Sequence, residues 1–142
     1  MEFLMPLTLT LTEGVLPPGS ESTAVSRLTE AMLKWHGLLG NTVMTPNVTA
    51  TVHVLPKTST FSAGKPFAGA WVEWKVPGIA FANREVQQGF FADATNIIEE
   101  LSAGRQPRES IFVNVVHAVD GAWSLNGQAV TNAELGAAVA QG

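Results

Sequence analysis

The chain contains no cysteine, so disulfides, thiolate zinc sites and cysteine nucleophiles are all excluded. It is also short of charge. Asp, Glu, Lys and Arg make up 14 % of its 142 residues, against roughly 25 % in an average soluble domain. A monomer of this size needs more charge on its surface, so part of that surface is expected to be buried in an oligomer. The eight Lys and Arg residues are scattered and the net charge is −4. No basic stripe is present to neutralise phosphates, which argues against nucleic acid as a partner. Long apolar runs are missing too. The N-terminal Phe3-Leu4-Met5 is far too short for a signal peptide or a membrane span, so the expected setting is cytoplasmic, without membrane association. What the chain does have is core: hydrophobic residues make up 46 % of it, enough for one ordinary domain.

The sequence repeats itself weakly at a spacing of about 62 residues. Phe61-Ser62-x-Gly64 recurs as Trp123-Ser124-x-x-Gly127, and Pro46 has its counterpart in Pro107. Units at about 6–64 and 68–130 each read as strand, helix, strand. Leu and Thr alternate strictly from Leu7 to Thr12, the period of a strand with one buried face. After the break at Pro17-Pro18-Gly19, Ser20 or Ser22 can cap a helix with a stripe of Val25, Leu28, Met32, Trp35 and Leu39, ended by Gly40. Asn47 to Leu55 is a second strand. In the second unit, Ala70 to Val76 places Trp71, Glu73 and Lys75 on one face and Val72 and Trp74 on the other. Asn83 caps a helix carrying Val86, Phe90, Ala94, Ile97, Ile98 and Leu101, with Gly104 as its terminator. Ile111 to Val119 is nearly continuously apolar, which predicts a central strand buried on both faces. Ser124 to Val130 reads as a short hairpin, and Thr131 to Ala140 as a small helix capped by Thr131 or Asn132. The expected fold is α+β: two tandem β-α-β units in a four-stranded mixed sheet, both helices on one face. The other face then needs a cover, which symmetric association supplies.

Three stretches carry a family resemblance. Met5-Pro6-Leu7 opens an alternating strand; Thr51-Val52-His53-Val54-Leu55-Pro56 closes the second; Phe112-Val113-Asn114 is followed by Asp120-Gly121-Ala122-Trp123-Ser124. In this order and spacing the chain resembles the tautomerase superfamily, the group of 4-oxalocrotonate tautomerase, malonate semialdehyde decarboxylase and macrophage migration inhibitory factor. The resemblance implies a homotrimer and a cofactor-independent isomerase that interconverts keto and enol forms of a small carbonyl compound. It implies Pro6 as general base, Asn114 and Lys75 holding a substrate oxygen or carboxylate, and Phe112 and Trp123 as pocket walls. Two departures stand out. The carboxylate-binding arginines of the family have no counterpart at Leu16 or at Ala80 to Ala82, and only Arg105 and Arg108 lie near the last strand. A neutral or monoanionic substrate is therefore expected. In addition, a proline nitrogen is basic only as a free amine, and Met1 to Met5 precede Pro6. Glu2-Phe3 is what a common cloning site encodes: either Met5 is the natural start and residues 1–5 hold an added extension, or this member has lost the mechanism.

Other residues have plainer readings. His117 and Asp120, three apart, point to opposite faces of a strand. His53 and His117 lack a third ligand for zinc, and His36 meets a helix C-terminus, where a cation is favoured. The glycines from Gly64 to Gly69 lack the strand-to-helix setting of a phosphate loop. No metal or organic cofactor is implied. The rival readings are a hydratase or decarboxylase on the same scaffold, with Pro6 as an acid, and a non-catalytic trimer that binds a small apolar ligand.

Overall fold

The computed structural model describes residues 5–142; Met1 to Leu4, and with them most of the expected extension, lie outside the described residues. In chain order the elements are β1 (Met5–Thr12), α1 (Glu21–Trp35), β2 (Val48–Leu55), a hairpin of β3 (Phe61–Ser62) and β4 (Lys65–Pro66), β5 (Ala70–Pro77), α2 (Arg84–Leu101), β6 (Ile111–Ala118), a hairpin of β7 (Trp123–Leu125) and β8 (Gln128–Val130), and α3 (Asn132–Val139). The four long strands form one mixed sheet in the order β2-β1-β5-β6. β1 runs parallel to β2 and antiparallel to β5, and β5 runs parallel to β6. The α+β expectation of two strand–helix–strand units therefore holds, with the first strand of each unit at the centre of the sheet.

Alternation decides which face is core. Leu7, Leu9 and Leu11 of β1 and Val72, Trp74 and Val76 of β5 are buried under the helices. Pro6, Thr8 and Thr10 occupy the opposite face with Trp71, Glu73 and Lys75. Among the described residues no helix covers that face. α1 and α2 lie side by side, and Gly89 is the reason they approach so closely: a Cβ there would stand 2.3 Å from the Trp35 ring. Trp35 Nε1 donates to Asp93 at 2.7 Å, and Arg27 pairs with Glu100 at 2.7 Å. The exposed Arg27–Glu100 pair adds at most about 1 kcal/mol. Apolar contact holds α2 against the sheet and the turn before it: Phe90 meets Trp74 and Phe81 edge-on, with ring centroids 6.2 and 5.2 Å apart.

Two expectations need correction. α1 ends at Trp35, not Gly40. Gly37, with φ +66°, takes the left-handed position, while its N–H bonds Lys34 O and that of Leu38 bonds Leu33 O, the 6→1 and 5→2 pattern of a Schellman end. Leu39 is accordingly off the helix and 55 % exposed. The second correction concerns β6, which is an edge strand and not a central one. Phe112, Val116 and Val119 on and just beyond it are exposed. Its apolar run suits burial on two faces, and one chain covers only one of them.

Capping follows the sequence more closely at the other helices. Asn83 accepts from Val86 N–H at 2.8 Å, and Thr131 and Glu134 form a full capping box on α3. Ser20 does stand at the N-cap of α1, yet its hydroxyl donates to Pro17 O instead of capping.

Candidate functional site

Pro6 sits one residue into β1, opposite Thr49 of β2. The β1–β5 ladder pairs Leu7 with Trp74; continued by one residue, it sets Lys75 beside Pro6 on the helix-free face. These two predicted residues are brought together. Asn114 lies on the same face but farther off, across β5 and opposite Glu73. Phe112 lies farther still. Four residues separate it along β6 from Val116, the partner of Lys75, and at about 3.3 Å per residue that is about 13 Å. There Phe112 stacks on Trp71, with ring centroids 5.8 Å apart, and meets Phe67 at 6.1 Å. Trp123 stands on the β7–β8 hairpin, half-buried against the core, and its Nε1 is buried with no hydrogen-bond partner among the described residues. Within one chain, then, Asn114 and Phe112 are not gathered around Pro6.

The arginines are engaged elsewhere. Arg108 donates to Asn96 at 2.8 Å and pairs with Glu99 at 3.3 Å, and Arg105 Nε donates to Ser102 O. Leu16 is a core residue. Among the described residues no three His, Asp or Glu side chains gather as metal ligands, and no helix is long and apolar enough to cross a membrane.

Sequence reasoning missed the walls around the start of β1. The Met5 side chain is buried and borders a void of about 210 Å³. Leu38 and Met44 close it from the segment after α1, Ile79 and Ala80 from the turn after β5, and Leu135 and Val139 from α3. The cover is docked by hydrogen bonds: Asn41 Nδ2 donates to Val139 O, and Asn132 N–H to Asp120 at 2.7 Å. No local motif could have announced this chamber, because its walls come from four separated segments.

Among the described residues His36 is the one polar side chain in those walls. Its Nε2 accepts from Phe81 N–H at 2.9 Å, so its Nδ1 is the nitrogen that donates to Met32 O at 2.8 Å. Burial lowers its pKa below the ordinary 6.5, partly offset by the Met32 bond, and the ring is held neutral. The bond pins a strained turn. Phe81 is fully buried with φ +53°, a left-handed conformation that costs of order 1–3 kcal/mol for a residue other than glycine. Gln87 Nε2 donates to Phe81 O, and His117 Nε2 lies 2.7 Å from Ala80 O. His36 and His117 thus hold one turn from two sides. On the far side of that turn, β6 and α2 bound a second cleft of about 530 Å³, lined by Arg84, Gln87, Phe91 and Asn114.

No family model and no curated protein sequence matches the chain. Solved structures do match its fold. A structure of Pt0534 inactivated by 2-oxo-3-pentynoate superposes with a TM-score of 0.72 at 17 % identity, covering 92 % of this chain and 98 % of that one. A native fused 4-OT gives 0.71 at 17 % over the same shares. A malonate semialdehyde decarboxylase inhibited by 3-bromopropiolate gives 0.60 at 12 %, covering 84 % and 88 %. The chain has the fold of the tautomerase superfamily.

Proposed function

We propose that the protein is a homotrimeric, cofactor-independent keto–enol tautomerase acting on a small carbonyl compound or monoacid, with Pro6 as general base once it is N-terminal. The observation that carries this reading is the setting of Pro6: it opens a central strand, with a lysine beside it on one face and an apolar chamber beyond Met5 on the other. A free Pro6 amine there takes a proton from the carbon next to a carbonyl, leaving an enolate whose oxygen takes up a proton to give the enol, and the reverse transfers restore the keto form. A base tuned near the working pH does this best. Lys75 holds the carboxylate or the developing enolate oxygen. Asn114 and Phe112 contribute across a subunit boundary, since within one chain they lie away from Pro6, and Trp123 is a pocket wall.

Assembly is supported by the helix-free sheet face and by exposed Val52, Val54, Val116 and Val119 on and beside the two edge strands. Among the similar structures is a wild-type fused 4-OT described as a symmetric trimer. Sedimentation equilibrium is expected to give three times 15.0 kDa; the monomer mass at micromolar concentration contradicts it.

The chemical test uses a chain that begins at Pro6. Incubation with 2-oxo-3-pentynoate, the compound that inactivates Pt0534, is expected to place one adduct on Pro6 and to abolish enolisation of phenylpyruvate in step with labelling. A chain left unlabelled, and inactive on neutral, monoacid and diacid enols, is instead a small-ligand-binding trimer. Activity as a hydratase or decarboxylase without enolisation moves the reading to a protonated Pro6.

A further inference from the structure

The turn from Gly78 to Ala82, between β5 and α2, is held by two histidines that bond it with opposite polarity. On the α1 side, His36 Nε2 accepts from Phe81 N–H at 2.9 Å while its Nδ1 donates to Met32 O. On the β6 side, His117 Nε2 lies 2.7 Å from Ala80 O. A carbonyl oxygen only accepts, so this nitrogen carries a hydrogen and donates. A proton therefore affects the two bonds differently. Added to His36, it takes the lone pair that Phe81 N–H needs, and two donors face each other. Added to His117, it goes to Nδ1 and leaves the bond to Ala80 O in place. The residue between the two histidines is strained. Phe81 is 1 % exposed and has φ +53°, a conformation that persists only while its surroundings enforce it. The His36 ring also packs edge-on against the Phe81 ring, with centroids 4.6 Å apart.

We infer that this turn is a proton-released latch: protonation of His36 frees the Phe81 backbone from α1, while His117 and Gln87 keep the turn tethered to β6 and α2. Gln87 Nε2 donates to Phe81 O at 2.8 Å, and Ala80 N–H donates to Pro77 O at 3.1 Å. Neither bond titrates. The charged groups on the surrounding elements are placed elsewhere. Lys34 of α1 pairs with Asp93 of α2, Glu134 caps α3, and Asp120 accepts from Asn132 N–H. Arg84 and Glu85 open α2, and the segments 37–44 and 78–82 carry no titratable side chain. None of these groups bonds the His36 ring, whose two nitrogens are taken. Burial holds the ring neutral in the latched state, so the open state binds the proton more readily and acid favours it. The turn borders two cavities. Ile79 and Ala80 wall the chamber beside Met5, and Phe81 walls the cleft along β6, so one release loosens a wall of each. The latch is independent of the reading of Pro6.

The experiment follows amide hydrogen exchange of the full chain by NMR from about pH 8 to about pH 5, the range in which histidine titrates. Rates are corrected for the intrinsic effect of pH, and the imidazole nitrogen shifts of both histidines are read from the same samples. The Phe81 amide is expected to lose protection about tenfold, the scale of one hydrogen bond, with the midpoint at which His36 Nε2 gains its proton. His117 Nε2 is expected to stay protonated throughout. Release of a turn exposes little surface, so Phe81 exchange is expected to ignore mild urea. The amides of Leu9 and Val72 in the central strands are expected to exchange more slowly at every pH and to respond to urea. His36→Gln supplies an acceptor that does not titrate, and Phe81 should then be equally protected at both ends of the range. Should His36→Gln fail to fold by circular dichroism, the agreement of the His36 and Phe81 midpoints in the unaltered chain decides. Exchange of Phe81 at the rate and urea dependence of Leu9 and Val72 means general unfolding and overturns the latch. So does Phe81 protection that ignores the His36 midpoint, or that falls in His36→Gln as in the unaltered chain.

Discussion

The two central strands begin at opposite ends of the sheet, and their beginnings have been built in opposite ways. At the start of β5 the chain runs in through Ala68 and Gly69, and the space is filled with hydrogen bonds. Thr12 Oγ1 accepts from Gly69 N–H at 2.9 Å and lies 2.9 Å from Thr60 Oγ1, while Thr60 Oγ1 donates to Phe67 O. Gln106 Nε2 donates to Ala68 O and to Ser110 O. The cleft outside this network is lined by Glu13, Lys57 and Arg105. At the start of β1 the corresponding space holds Met5, aliphatic walls and a void. The start of β5 is closed with structural hydrogen bonds, and the start of β1 is left apolar beside a void.

Substitutions at the two ends should therefore behave differently. Met5→Ala removes buried apolar contacts beside an existing void, and urea unfolding is expected to show a loss of about 2 kcal/mol, the low end for truncating a core methionine. Thr12→Val strands the Gly69 N–H and one hydroxyl bond of Thr60 in the core, at a cost of about 1–3 kcal/mol. Thr12→Ser, which keeps the hydroxyl, should recover most of it. A Thr12→Ser chain as unstable as Thr12→Val breaks the comparison.

A smaller effect belongs to His36. Its folded-state pKa is lowered from the ordinary 6.5 by burial, so below that value the unfolded chain binds the proton more readily than the folded one. Stability is full above the unfolded-state value and declines as pH falls from there toward the folded value. Protonation also removes the acceptor for Phe81 N–H. His36→Phe should flatten this part of the curve while lowering stability at neutral pH by the lost hydrogen bond, about 1 kcal/mol. An unchanged acid slope contradicts the assignment.

Much of the frame was legible in the sequence because it rests on local periodicity. The Leu/Thr alternation put Leu7, Leu9 and Leu11 on one face, and the stripe of α2 marked Phe90, Ala94, Ile97 and Ile98, all buried. Asn83 and Thr131 were readable as caps because the cap bond spans only three residues. Misreadings came where another part of the molecule, or another molecule, decides. β6 has the composition of a doubly buried strand yet lies at an edge, since composition reports that a surface is covered and not by what. α1 stopped early because Gly37 was free to take a positive φ before Gly40. The chamber was invisible for the same reason as any site assembled by topology: α3 reaches the start of β1 across more than a hundred residues of chain, and no spacing rule records that.

The account turns on a single nitrogen, and the rate of enolisation by two forms of one protein tests it. A chain beginning at Pro6 and the chain beginning at Met1 are compared on phenylpyruvate under identical conditions, with assembly checked in both. General-base catalysis is typically worth 10²–10⁴-fold, and the Pro6 form is expected to be faster by a factor in that range, because acylation by Met5 turns the amine into an amide. Equal rates in the two forms contradict the account, clear Pro6 and move the search for the base to Lys75 and His117.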